Sequence, residues 1–414
     1  MRRAILVFLA LTFALFSFQQ AVAKKKKQKK AKPKAQKEQK AQKEQKEAKF
    51  GATPYIYTGP DTGFGVGASG LFRDLFGKEG RDMVFSVSYT EKQYEYYSIE
   101  WKEPKVFSDK AWFRIYVRYA NKPSRLYYGI GNDSLRDNAC YFGDQEVEVN
   151  PRYDYWFLTG KRRLGIKVDY RFSWFKPKDG PDDLDEPPIS EVFPDVYNSD
   201  EFQDGGIISG LGVLLVYDDR KDKFPIGGGR DEVVFPYAGG RQELYLARYD
   251  KALGSDWSYT LASVNLTYHI PIGWEWTVFS ARMNVTIKDG DMPFWELSSF
   301  GSGNSIRGYH DGRFRDHNSV LFNFELRQAF DYSFYPIPYW ILKSYKITAP
   351  MVVLFYDYGR VFEEINDITS EFGGYHYTYG VSFRFIISPS VVIRIDQAFS
   401  KEESDFYITA GWTF

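Results

Sequence analysis

"FYITAGWTF", residues 406–414, closes the chain in strict alternation. Phe406, Ile408, Ala410, Trp412 and Phe414 fall on one face, and Tyr407, Thr409, Gly411 and Thr413 on the other. A period of two marks a strand, because successive side chains leave opposite sides of an extended backbone. The same beat runs back through the chain. In "SVVIRIDQAF" (390–399), Val391, Ile393, Ile395 and Phe399 oppose Arg394 and Asp396. In "GIKVDYRFSWF" (165–175), Ile166, Val168, Tyr170, Phe172 and Trp174 oppose Lys167, Asp169, Arg171 and Ser173. "TLASVNLTYHI" (260–270) sets Ala262, Val264, Leu266, Tyr268 and Ile270 against Ser263, Asn265, Thr267 and His269.

Large apolar residues alternating with charges suit a barrel with lipid outside and water inside. A soluble barrel inverts the two faces, and parity alone does not separate them. Composition and the N-terminus favour the membrane. The chain holds 35 Phe, 32 Tyr and 10 Trp, a load that suits aromatic girdles at both edges of a lipid band. Beyond the N-terminus no stretch is long and apolar enough for a membrane helix, and the mean hydropathy is negative. Residues 1–23 read as a secretory signal: Arg2 and Arg3, an apolar run from Ala4, then Ala21-Val22-Ala23 as the cleavage site. The only cysteine is Cys140, so no disulfide framework exists within one chain.

Residues 24–50 carry 13 Lys and 3 Glu, with AQKEQK in tandem at 35–40 and 41–46 and no apolar face at any period. This segment is expected to be a disordered periplasmic tail. It serves either as a solvated spacer or as a contact for an anionic surface. Residues 51–414 hold 39 basic and 51 acidic side chains and form the barrel. Sixteen strands are expected between 52–58 and 405–414, among them 110–120, 145–158, 317–330 and 349–360. An even number keeps both termini on the periplasmic side of a single-chain barrel. The connections 121–144, 176–205 and 289–316 are expected outside the cell. Two periplasmic connections, 220–239 and 331–348, are long for this scheme.

One of the outer loops contains "GSGNSIRGYHDGRF" (301–314), where Arg307 follows Ile306 and precedes Gly308 and Tyr309. Alternation puts Glu325 inward from strand 317–330 and Asp357 inward from its neighbour. If the loop folds into the barrel, Arg307 meets both carboxylates in one charge-assisted network. Gly308 then supplies the turn and Tyr309 packs on the wall. The loop becomes a plug or strut.

"MPFWELSSFGSGNSIRGYHDGRF", "VLFNFELR", "LFYDYGRV" and the ending "YITAGWTF" resemble the BamA/TamA family, also called the bacterial surface antigen family, of outer-membrane assembly and translocation proteins. The resemblance covers residues 51–414. It implies a sixteen-stranded barrel whose sixth loop inserts an arginine motif, here Ile306, Arg307, Gly308 and Tyr309. It also implies acidic partners on strands 12 and 13, here Glu325 and Asp357, and a strand-13 motif, here Phe355, Asp357 and Gly359. Members that assemble other barrels carry periplasmic POTRA domains, and residues 24–50 are too short and too polar to form one. Gly411 matches the family glycine at which the last strand kinks. Pro54 lacks a ladder donor, so the seam between strands 1 and 16 is expected to be weak, with Trp412 and Phe414 ending the C-terminal signal.

These readings make the chain a non-enzymatic outer-membrane barrel that assists insertion or translocation of proteins or lipid through that seam. Its partners would be outer-membrane lipids and a periplasmic protein or an unfolded outer-membrane client. The alternatives are a passive plugged channel, a surface structural barrel, or an anchor for a separate periplasmic partner. Other signals argue little. "GVGASG" (65–70) matches a nucleotide fingerprint but sits in an alternating strand with no helix to follow. The four histidines lack metal-ligand spacing, no G-x-S-x-G occurs, and no groove combines basic and aromatic residues as nucleic acid requires. No cofactor is expected.

Overall fold

The computed structural model describes residues 49–414 apart from 182–183, 223–234, 336–346, 366, 368–373 and 388–390. The signal segment and nearly all of the Lys-rich tail lie outside the described residues, as do the centres of the two long connections. The described chain is an antiparallel barrel of sixteen long strands, each hydrogen-bonded to its neighbours in sequence. The strands are β1 (Lys49–Gly59), β2 (Gly63–Arg73), β3 (Asp82–Thr90), β4 (Glu95–Pro104), β5 (Ala111–Tyr127) and β6 (Cys140–Leu158). They continue with β7 (Arg163–Asp179), β8 (Gly206–Asp218), β9 (Pro236–Tyr249), β10 (Tyr259–Pro271) and β11 (Thr277–Gly290). The last five are β12 (Asn318–Ala329), β13 (Ile347–Phe362), β14 (His376–Ile387), β15 (Val391–Phe399) and β16 (Ser404–Ala410).

The two faces decide what solvates the barrel. Outward positions expose large apolar groups around the circumference, among them Ile99, Leu211, Leu246, Tyr268, Leu354 and Phe383. Inward positions bury Asp154, Lys167, Glu325, Arg327, Arg384 and Asp396. Water would be a poor solvent for such an outer surface, since soluble proteins rarely expose contiguous apolar patches beyond a few hundred Å². Lipid is a good one.

Two elements differ from the sequence expectation. Strands 5 and 6 run past 120 and start before 145, so their loop shrinks to 128–139. Pro123 does not stop β5, because a register shift between Lys122 and Arg125 bulges the strand and takes the proline out of the β6 ladder. At the C-terminus the alternation stops at Ala410. Gly411 adopts φ 98°, a left-handed conformation open to glycine, and Trp412 and Phe414 leave the lipid face for the lumen. The glycines of "GVGASG" serve close approach within β2. A Cβ on Gly65 or Gly67 would lie 2.5 Å or less from the rings of Tyr57 or Tyr55, which β1 lays across them.

The connections after β5, β7, β11 and β13 gather at one end of the barrel. There the 180–205 loop forms three short helices, α1 (Ile189–Val192), α2 (Pro194–Tyr197) and α3 (Asp200–Asp204). Ile189 and Phe202 from these helices join Tyr127, Phe142, Phe175 and Phe294 in one buried apolar cluster. This cluster ties the helices to the root of loop 291–317. The backbone N–H of Phe294 donates to Glu201 at 2.7 Å.

Candidate functional site: the loop 291–317 network and the seam

Loop 291–317 folds into the barrel and touches the wall on nearly every side. Glu296 accepts both arms of Arg171 from β7, at 2.9 and 3.0 Å, and the hydroxyl of Tyr259 from β10 at 2.9 Å. Asp311 takes a hydrogen bond from Arg125 of β5 at 3.3 Å, and Gly303 accepts one from Arg394 of β15 at 2.6 Å.

At the loop's inner turn lies Arg307, fully buried. Its Nε and Nη2 fork the Asp357 carboxylate at 2.7 and 2.8 Å, its backbone N–H donates to the same group at 3.2 Å, and Nη1 donates to Glu325 at 3.1 Å. The guanidinium carbon also lies over the Phe355 ring, 3.5 Å from its centroid. The strand-13 motif is therefore a seat with three parts. Phe355 stacks, Asp357 pairs, and Gly359 makes room, since a Cβ there would come within 2.9 Å of Phe300 and 3.2 Å of Ile306. Ile306 itself is buried with Phe300, Tyr309, Phe314, Leu321 and Val361. Gly308 turns with φ 84°, and its N–H donates to the Tyr407 hydroxyl of β16 at 3.0 Å. Tyr309 packs edge-on against Phe314, with 5.2 Å between centroids.

Alternation alone does not identify the rest of the network. Glu325 is held by Arg384 of β14 through two bonds, at 2.9 and 2.6 Å, and by Arg327 at 2.8 Å. Asn323 bridges Asp357 at 2.8 Å and the carbonyl of Ser305 at 2.9 Å. Arg394 pairs with Asp396 at 2.8 Å. The four arginines 307, 327, 384 and 394 thus share three carboxylates, all of them buried. Spare donors of Arg307, Arg384 and Arg394 are met by a neutral oxygen. Thr413 supplies one hydroxyl to Arg394 at 2.5 Å, Arg384 at 3.4 Å and Arg307 at 3.5 Å. Trp412 lies under Arg327 and Arg384, and Phe414 under Arg327. The kinked tail is the floor of the network. Its sequence signal was the glycine before it, not the alternation through it.

That kink leaves the barrel poorly closed. β1 pairs with β2 without a break from Lys49↔Arg73 to Gly59↔Gly63, yet meets β16 at the single pair Thr58↔Ile408. Pro54 sits within β1, opposite Ala68 of β2. Below Thr58 the free edge of β1 has no partner strand among the described residues. No group of three metal-ligating side chains occurs among the described residues either.

Residues 228–414, which span the loop motif, its acidic partners and the kinked last strand, match the Omp85 superfamily domain. That match covers the C-terminal part of the barrel. Among solved structures this barrel is similar to BamA from Haemophilus ducreyi lacking POTRA domains 1–3, with 12% identity and TM-score 0.57 over 88% of this chain and 70% of that one. It is also similar to CdiB from Escherichia coli (10% identity, TM-score 0.56, 87% and 63% covered) and CdiB from Acinetobacter baumannii (12%, 0.53, 87% and 59%). The chain thus spans less than two thirds of either CdiB chain. At such identities the likeness is one of fold. No curated protein sequence matches the chain. A barrel with an apolar outer face and a charged lumen belongs in an outer membrane.

Proposed function

We propose that this barrel assists the insertion or translocation of proteins at the outer membrane, acting on no covalent bond, by presenting the weakly paired β1/β16 seam to a client chain. The observation that carries the reading is the seam itself. One register pair closes it, and the unpaired edge of β1 offers N–H and C=O groups that another strand can satisfy. In this reading the long loops face the outside, while the termini and the Lys-rich segment 24–50 face the periplasm. There the segment meets an acidic partner or acts as a spacer.

The braced loop supports a second reading, a passive plugged barrel, because Arg307 and its partners fill the lumen between β12 and β16. One experiment separates the two. Residues 24–414 are reconstituted in liposomes and the folding rate of an unrelated unfolded barrel added outside is measured. Acceleration over empty liposomes that vanishes when β1 and β16 are crosslinked supports the first reading. No acceleration from a correctly folded protein supports the second.

A further inference from the structure

His310 follows the Ile306–Tyr309 motif directly yet takes no part in the Arg307 network. Its Nδ1 lies 2.7 Å from Asp61, in the turn between β1 and β2, and its Nε2 lies 3.4 Å from Glu403, in the turn between β15 and β16. Those turns are the tips of the first and last hairpins, so the imidazole spans the two sides of the seam. The backbone N–H of Asp311 donates to the other oxygen of Asp61 at 3.1 Å. Arg313 forks Glu402 of the last hairpin at 2.7 and 2.8 Å. Arg136, from the β5–β6 loop, reaches Glu403 at 3.3 Å.

Electrostatics gives this placement a purpose. Asp61 and Glu403 are carboxylates facing each other across the one weak ladder, with Asp405 of β16 close by as a third acid. Without a cation between them they would repel and favour an open seam. Burial by itself would discharge the imidazole, but the hydrogen bonds to Asp61 and Glu403 outweigh burial and push its pKa up to about 10. The ring is thus positively charged at neutral pH.

We propose that His310 is the clasp of the seam: a cation on the plug loop that ties Asp61 of the first hairpin to Glu403 of the last, and whose release frees β1 from β16. The inference rests on the seam reading above and adds its control point. The plug and the gate then become one device, because the loop that fills the lumen also holds the edge strands together.

Hydrogen exchange of the full chain in liposomes, with no client present, tests it. In His310→Ala, the amides of the Thr58/Ile408 pair are expected to exchange about tenfold faster or more, while the β12/β13 ladder keeps its protection. His310→Lys, which keeps a cation at the position, is expected to recover part of the protection. Unchanged exchange at the seam in folded His310→Ala overturns the clasp. Should that variant fail to fold, His310→Gln, which removes the charge and keeps both carboxylates, takes its place, and unchanged exchange there overturns the clasp equally. Faster seam exchange with no acceleration of client folding in the unmodified protein would leave the clasp standing and remove the insertion reading. The opposite pair of results would remove the clasp alone.

Discussion

β12 and β13 run side by side from Asn318↔Phe362 to Ala329↔Met351, whereas β1 and β16 touch at Thr58↔Ile408. The same barrel thus contains one junction fixed twice over, by its ladder and by the Arg307 seat, and one junction barely fixed at all. The difference lies in what the strands do with their inward side chains. At β12 and β13, Glu325, Asp357 and Phe355 converge on one guanidinium. At β16 the chain turns away at Gly411 and its last residues serve that same network instead of the ladder. Rigidity on one side of the lumen is built from residues taken from the closure of the other.

The largest break in this comparison should come from Arg307→Ala. It leaves the buried Asp357 carboxylate with Asn323 and without a cation, while Glu325 keeps Arg327 and Arg384, and removing one partner from such a pair costs about 3–5 kcal/mol. The folded band on an unheated gel should convert to the unfolded one at a lower temperature. No change would show that the network does not brace the barrel. Gly359→Ala ranks next. The added methyl lies 2.6 Å from the Val320 carbonyl and 2.9 Å from Phe300, an overpacking worth about 1–3 kcal/mol. Loop 291–317 should become more open to protease in this variant, and the seam that the same loop clasps through His310 should loosen with it.

Thr413→Val sharpens the contrast from the other side. Losing a hydroxyl shared by three arginines should cost about 1–3 kcal/mol of thermal stability. A cysteine pair replacing Thr58 and Ile408 should report any change in seam pairing that accompanies it.

The smallest effect concerns pH. The folded-state pKa of His310 is raised from an ordinary 6.5 to about 10. Its contribution is therefore complete below about pH 6.5 and declines as pH rises towards 10, where the ring loses its charge. Disulfide trapping at the Thr58/Ile408 pair should fall from pH 7 to pH 10, and His310→Gln should abolish that dependence. The groups facing the ring across this range are Asp61 and Glu403 directly, with Arg136, Asp405 and Tyr128 beyond them.

Much of this fold can be read from the sequence, because each transmembrane strand must alternate to meet lipid on one side and water on the other. That constraint fixes Arg394, Asp396, Glu325 and Asp357 as inward groups before any pairing is known. It fails where the backbone departs from a flat ladder. The bulge at Lys122–Arg125 carries β5 past a proline that reads as a terminus. The kink at Gly411 redirects two aromatics whose spacing assigns them to lipid. The full arginine cluster was hidden for another reason. Arg384 and Arg394 each look like an ordinary lumenal charge on their own strand, and only barrel closure brings them within reach of one threonine hydroxyl.

The four residues from Gly411 to Phe414 have two uses available and cannot serve both. Extended, they would lengthen the β16 edge along the free side of β1. Folded inward, they floor four arginines and leave that edge exposed. Sealing the wall therefore means vacating the lumen, so the barrel's resistance to leakage through its centre and its resistance to opening through its side are in competition for one short segment.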